Sequence, residues 1–275
     1  MRATGFAEHD SAELYWESTG GSNPPVLLIM GLGMNATYWW RTTPMLVAAG
    51  LDVIAFDNRG VGRSSRPAGP YSVPQMADDA VAVLDAAGAE RAHIYGISLG
   101  GMVAQEIALR HPDRVSALVL GATTPGGDRA VAPDDETLAF FRRRGEMTAE
   151  EAVWASVPYN YGRATRTTAA HLIAEDIVQR LRFPIEHEPY AAQLAAALGH
   201  DAHDRLGEID RPTLVVHGEA DRMVAPANAR LLADAIPGAW LSTYAGAGHI
   251  YPTDEPDADQ DVASFLSEQS SRGPS

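Results

Sequence analysis

Short, nearly pure apolar runs punctuate the chain at Val26–Met30, Val53–Phe56, His93–Ile97, Val115–Leu120 and Thr213–Val216. Such runs read as strands buried on both faces of a sheet. A more amphipathic run covers Trp240–Tyr244, and the alternation Glu13-Leu14-Tyr15-Trp16-Glu17 predicts an antiparallel edge strand near the N-terminus. Between these runs the apolar period changes to that of a helix. Met76, Ala80, Val81 and Leu84 share one face, as do Ala229, Leu232 and Ile236, while Val103, Ile107 and Ala108 follow a serine-containing turn. Strand alternating with helix predicts an α/β fold: a mostly parallel sheet with helices on both faces.

One interval breaks the rhythm. Gly121 to Arg211 is far longer than the dozen or so residues that a parallel crossover needs. Helical patterns at Thr137–Arg144, Thr148–Ala155 and Ala169–Leu181 lie within it, separated by Pro and Gly. The division expected is a core domain of residues 1–123 and 208–268, a mostly helical lid inserted at 124–207, and a disordered tail at 269–275. That tail ends a small, polar stretch beginning at Ser267.

Composition narrows the chemistry. The chain of 275 residues has no Cys, which removes disulfides, thiolate metal sites and a cysteine nucleophile. Every one of its 21 basic residues is Arg, so neither a Schiff-base lysine nor a Gly-Lys phosphate loop exists. Arg without Lys, with abundant Ala, suggests a GC-rich bacterial genome. A net charge of −15 speaks against nucleic acid and anionic membrane surfaces as partners. No apolar run approaches the roughly 20 residues that span a bilayer, and Met1–Asp10 has no signal-peptide core. A cytoplasmic monomer or homodimer acting on a small molecule is expected.

Gly96-Ile97-Ser98-Leu99-Gly100 follows one of the buried strands and precedes a helix. The pattern G-x-S-x-G in that setting is a nucleophile elbow: the serine sits at the apex of a sharp turn, and the glycines let strand and helix approach. A hydroxyl needs a base, itself oriented by an acid. His249 lies late in the chain, in the Gly-rich loop Ala245–Gly248 after a predicted strand. His217 ends a strand and reads as a packing or locally bonded residue. Asp221, beyond the end of Thr213–Val216, is the preferred acid, with Glu219 and Asp128 as rivals. Two backbone N–H groups, those of Leu99 and Leu32, are the expected oxyanion donors. Gly31, Met34, Trp39 and Trp154 are candidates for the substrate pocket. His200 and His203 lack a third ligand, so no metal and no cofactor is expected.

These motifs make the chain resemble the α/β-hydrolase fold family over Pro25 to about Thr123 and Arg211 to about Leu266. Asp57-Asn58-Arg59-Gly60-Val61-Gly62-Arg63-Ser64 is similar to the family's turn after the fourth strand, where Asp57 reads as structural. Met30 departs from the family's usual His-Gly before the oxyanion residue. The shared motifs also resemble the esterases of aromatic polyketide pathways, the aclacinomycin methylesterase type. The resemblance implies an eight-stranded sheet and a serine hydrolase cleaving esters or lactones of small apolar or aromatic molecules, in secondary metabolism. One alternative keeps the fold without hydrolysis, as a lyase, cyclase or binding protein. A remote one is a dinucleotide-binding oxidoreductase, since Gly31-Leu32-Gly33-Met34-Asn35-Ala36 fits G-x-G-x-x-G/A with Asp52 downstream.

Overall fold

The computed structural model describes residues 3–271. In chain order it forms β1 (Ala3–His9), β2 (Ala12–Ser18), β3 (Pro25–Ile29), α1 (Thr42–Ala48), β4 (Asp52–Phe56), α2 (Val73–Ala86), β5 (Ala92–Ile97), α3 (Leu99–Arg110) and β6 (Val115–Gly121). Then come α4 (Asp135–Arg144), α5 (Ala149–Ala155), α6 (Val157–Asn160), α7 (Arg163–Thr168), α8 (Ala170–Leu181) and α9 (His187–Leu198). The chain returns to the sheet with β7 (Thr213–Gly218), α10 (Ala227–Ala235), β8 (Trp240–Tyr244), α11 (Tyr251–Asp254) and α12 (Asp257–Ser271).

The eight strands form one sheet in the order β1-β2-β4-β3-β5-β6-β7-β8. β1 and β2 run antiparallel, β2 is antiparallel to β4, and all other pairs are parallel. Each apolar run marks a strand, and the central strands β4, β5 and β7 are buried along their whole length. The alternating stretch around Tyr15 is antiparallel but not the edge. β1 flanks it there, and only Ala7 of β1 is buried, so its pattern carries almost no periodic signal.

Two apolar layers cover the sheet. On one face Leu27, Ile94 and Leu118 pack with Val83 of α2 and Val103 and Ile107 of α3. On the other Leu28, Tyr95 and Val119 pack with Leu46 of α1 and Val262 and Leu266 of α12. Alternate side chains of each strand thus feed opposite layers. Ser72 caps α2 by accepting from the Gln75 N–H, and Gly88 at φ 73° follows its end.

Between β6 and β7 the chain is helical, as the patterns predict, but more finely divided. Ala169 separates α7 from α8, and α9, an Ala-rich helix, has little apolar contrast between its faces. Of the tail expected to be disordered at 269–275, residues 269–271 continue α12, where the Ser270 hydroxyl bonds back to the Leu266 carbonyl and out to His93. The rest of that tail lies outside the described residues.

Candidate active site

Ser98 stands between β5 and α3 with φ 59° and ψ −121°, a conformation outside the ordinary regions for an L-residue. Its own backbone is pinned: the Ser98 N–H donates to the Gly121 carbonyl at 2.8 Å, and Thr123 Oγ1 donates to the Ser98 carbonyl at 2.7 Å. The two motif glycines are sterically required. A Cβ on Gly96 would lie 2.0 Å from the Gly100 carbonyl oxygen, and one on Gly100 would lie 2.0 Å from that of Ile29. Strand and helix meet closer than any side chain permits.

Asp221 follows β7, and His249 follows β8 in the loop before α11. His249 Nδ1 lies 2.8 Å from Asp221 Oδ2, and both side chains are buried. The rival acids do not compete for this contact: Glu219 accepts from Thr243 Oγ1, and Asp128 is exposed. Asp221 Oδ1 accepts from the Met223 and Val224 N–H groups at 2.8 and 3.0 Å. Its Oδ2 has a second neighbour, His217 Nε2 at 3.1 Å, which also faces the Val224 carbonyl at 3.1 Å. Both those oxygens only accept, so His217 Nε2 carries a proton. Burial alone would raise the Asp221 carboxyl, but His249 and His217 outweigh it and hold it at about 2. Facing an ionised carboxylate, His249 Nδ1 keeps its proton and Nε2 is left with the lone pair.

The loop after β3 closes the site. A Cβ on Gly31 would meet Ser98 Cβ at 3.0 Å, so this loop lies directly against the serine. Gly33 is held there by donating to Gln193 Oε1 of α9 at 2.9 Å. Among the described residues neither the Leu32 nor the Leu99 N–H has a protein acceptor, and both residues line the same cavity as Ser98 and His249. That cavity measures about 490 Å³. It opens at the carboxyl ends of β3, β5, β7 and β8, where ligands bind in open parallel sheets.

Of the pocket candidates, Gly31 and Met34 line this cavity. Trp39 and Trp154 do not. Trp39 is packed into the core, its ring centre 4.9 Å from that of Tyr95, and Trp154 is 54% exposed. The remaining wall comes from residues without a motif, among them Met102, Phe141, Asn160, His200 and the arginines Arg142, Arg144 and Arg180. Asn160 also supports the His249 loop, because its carbonyl accepts from the Ile250 N–H at 2.9 Å. Met102 comes from α3, and only the three-dimensional path of the chain between β6 and β7 brings the others to the site.

The dinucleotide alternative fails on geometry. Asp52 begins β4, parallel to β3, and so lies at the opposite end of the sheet from Gly31–Gly33. There its carboxylate accepts from the Asn23 N–H. No groups of His, Asp or Glu that could hold a metal ion occur among the described residues.

The family model of the alpha/beta hydrolase fold matches residues 24–256. The chain belongs to the α/β-hydrolase fold family. A protein of Azorhizobium caulinodans named as the carbamate hydrolase RutD is 33% identical over 262 residues, 92% of this chain and 94% of its own. The 3-oxoadipate enol-lactonase 2 of Acinetobacter baylyi is 28% identical, with 89% of each chain covered. Among solved structures, the enol-lactonase of Burkholderia xenovorans superposes with a TM-score of 0.84 at 26% identity, over 95% of this chain and 99% of that one. As an α/β hydrolase with hydrolase relatives throughout its length, the chain is a hydrolase. Among the described residues no helix is long and apolar enough to cross a membrane.

Proposed function

We propose that this hydrolase is a serine esterase or lactonase for small, largely apolar molecules, with Ser98 as nucleophile, His249 as base and Asp221 as its orienting acid. The observation that carries the reading is the joint presence, on one cavity, of a strained serine, a histidine anchored by an ionised carboxylate, and two N–H groups without a protein acceptor among the described residues. Relatives named as enol-lactonases and as a carbamate hydrolase cleave a carbonyl bonded to a heteroatom, which fits the same chemistry.

Acyl transfer on this geometry runs in two steps. Ser98 Oγ attacks the carbonyl carbon while its proton passes to His249 Nε2, and the oxyanion is received by the Leu32 and Leu99 amides. Collapse breaks the bond to the leaving oxygen, which takes the proton from His249. Water then attacks the acyl-enzyme, again giving its proton to His249, and Ser98 Oγ leaves with that proton. We read residues 124–207 as the lid over this site, because α4, α6, α8 and α9 supply one wall of the cavity while the core domain supplies the reacting groups.

The test is hydrolysis of p-nitrophenyl esters of graded acyl length by the wild type and a folded Ser98→Ala variant. Turnover that falls by about 10,000-fold or more in the variant supports the assignment. Equal turnover by both overturns it.

A further inference from the structure

The cavity holding Ser98 and His249 has an uneven charge. Arg142, Arg144 and Arg180 line it, and among the described residues not one Asp or Glu does, although the chain carries 36 acidic residues against 21 basic ones. Arg144 and Arg180 are only 7% and 8% exposed. Among the described residues no carboxylate comes within ion-pair distance of either guanidinium. What they touch instead is neutral. Arg180 Nη1 donates to Ser156 Oγ at 3.0 Å, and the Arg144 guanidinium lies 4.6 Å from the centre of the Tyr190 ring.

Their position matters as much as their charge. A Cβ on Gly33 would stand 3.5 Å from Arg144 Nη2, so this guanidinium reaches the loop that carries the Leu32 N–H. Burial, and the neighbouring charge of Arg180, push Arg144 down only to about 10, so the Arg144 guanidinium is cationic at neutral pH. His200, elsewhere in the lining, is driven to about 4, chiefly by burial, and is neutral there. The rest of the wall is largely apolar, with Met30, Met34, Met102, Leu138 and Leu194. Two buried like charges without a counterion are costly to the empty fold, and only a bound anion returns that cost. A guanidinium fork matches a carboxylate bidentately, and an apolar wall favours a hydrocarbon chain between the two ends of the substrate.

We propose that the substrate is an ester or lactone whose acyl chain also bears a free carboxylate, gripped by Arg144 and Arg180 while its reacting carbonyl meets Ser98. This rests on the serine-hydrolase reading above and narrows its substrate class to half-esters and carboxylated lactones. The product of cleavage is then a dicarboxylate, or a hydroxylated or keto acid with two carboxylates. The reaction that supplies the substrate must leave one carboxylate free and close or esterify another.

The experiment compares p-nitrophenyl hydrogen adipate with p-nitrophenyl hexanoate, which differ only in a terminal carboxylate replacing a methyl group. The wild type should favour the charged ester by about tenfold or more in kcat/KM, the gain expected of a desolvated charge-assisted contact. In Arg144→Met and Arg180→Met that ratio should collapse towards one. Calorimetric binding of monomethyl adipate to Ser98→Ala reads the same contact without chemistry, and should be lost when Arg144→Met is added. Turnover of both esters with no preference in the wild type overturns this inference and leaves the hydrolase reading standing. Binding of monomethyl adipate without turnover of either ester overturns the hydrolase reading and leaves the anion site. Neither binding nor turnover overturns both. Pentyl phosphate bound as tightly as monomethyl adipate overturns the assignment to a carboxylate.

Discussion

Two regions of the molecule treat buried charge in opposite ways. In the sheet domain Arg59, 1% exposed, forks onto Asp79 at 2.5 and 2.6 Å, and Arg63 meets the buried Asp57 at 2.8 Å. Between β6 and β7, Arg144 and Arg180 are buried almost as deeply and meet no carboxylate among the described residues. A paired buried charge holds loops in place, as Asp57 does by accepting from the Ala36 and Arg63 N–H groups. The unpaired ones hold only neutral neighbours, Arg180 through Ser156 Oγ and Arg144 over the Tyr190 ring. In the proposed reading, architecture ends and recognition begins at this boundary: the sheet supplies the reacting groups, and the helices above it supply the selectivity.

The largest expected effect comes from cutting a pair. Arg59→Met leaves Asp79 buried with only the partly exposed His9 beside it, and should cost about 3 kcal/mol in urea unfolding. Arg144→Met strands no acid and should lose none of that. Equal losses for the two variants would erase the contrast between the regions.

Acid titration extends the contrast to the site. The folded-state Asp221 carboxyl, at about 2, lies below its unfolded value of about 4. It therefore stabilises the fold above pH 4 by about 2 kcal/mol, and this is lost as pH falls from about 4 through about 2. Asp221→Asn should flatten that limb of the stability curve. A limb that persists unchanged would place the acid sensitivity elsewhere.

Asp259 provides an effect of opposite sign. Burial raises it to about 6 despite the 2.7 Å hydrogen bond from Thr42 Oγ1, and its Oδ1 has no partner among the described residues. With the folded value above the unfolded one, stability falls as pH rises from about 4 to about 6. Asp259→Asn should raise stability at pH 7 by about 1 kcal/mol and remove that fall. A variant less stable than the wild type at pH 7 would show that the ionised form is favoured in the fold.

The same division decides which features are legible in the sequence. Gly96, Ser98 and Gly100 sit where backbone geometry permits few residue types, so their spacing, set between an apolar strand and a helical pattern, is enough to name the turn. Asp221 and His249 stand out because they follow strand ends in the chain order the fold demands. Strand β1 escapes notice because an edge strand with one buried residue has no period to read. The arginines escape for a different reason. Arg142 and Arg144 end an amphipathic helix in a run of three arginines, which by composition alone is a solvated helix end. Only the packing of the helices between β6 and β7 turns Arg144 inward. Trp39 and Trp154 mislead for the converse reason: an aromatic near a loop signals burial of area, and whether it faces core, cavity or solvent is settled by tertiary contacts.

The proposed mechanism requires Ser98 to be an activated nucleophile, a property that covalent labelling reads whatever the natural substrate is. Folded wild-type protein treated with a fluorophosphonate should gain one adduct, mapped by peptide mass spectrometry to Ser98, and His249→Ala should label far more slowly. An unlabelled Ser98 in folded wild type, or labelling that proceeds equally fast without His249, would contradict the mechanism.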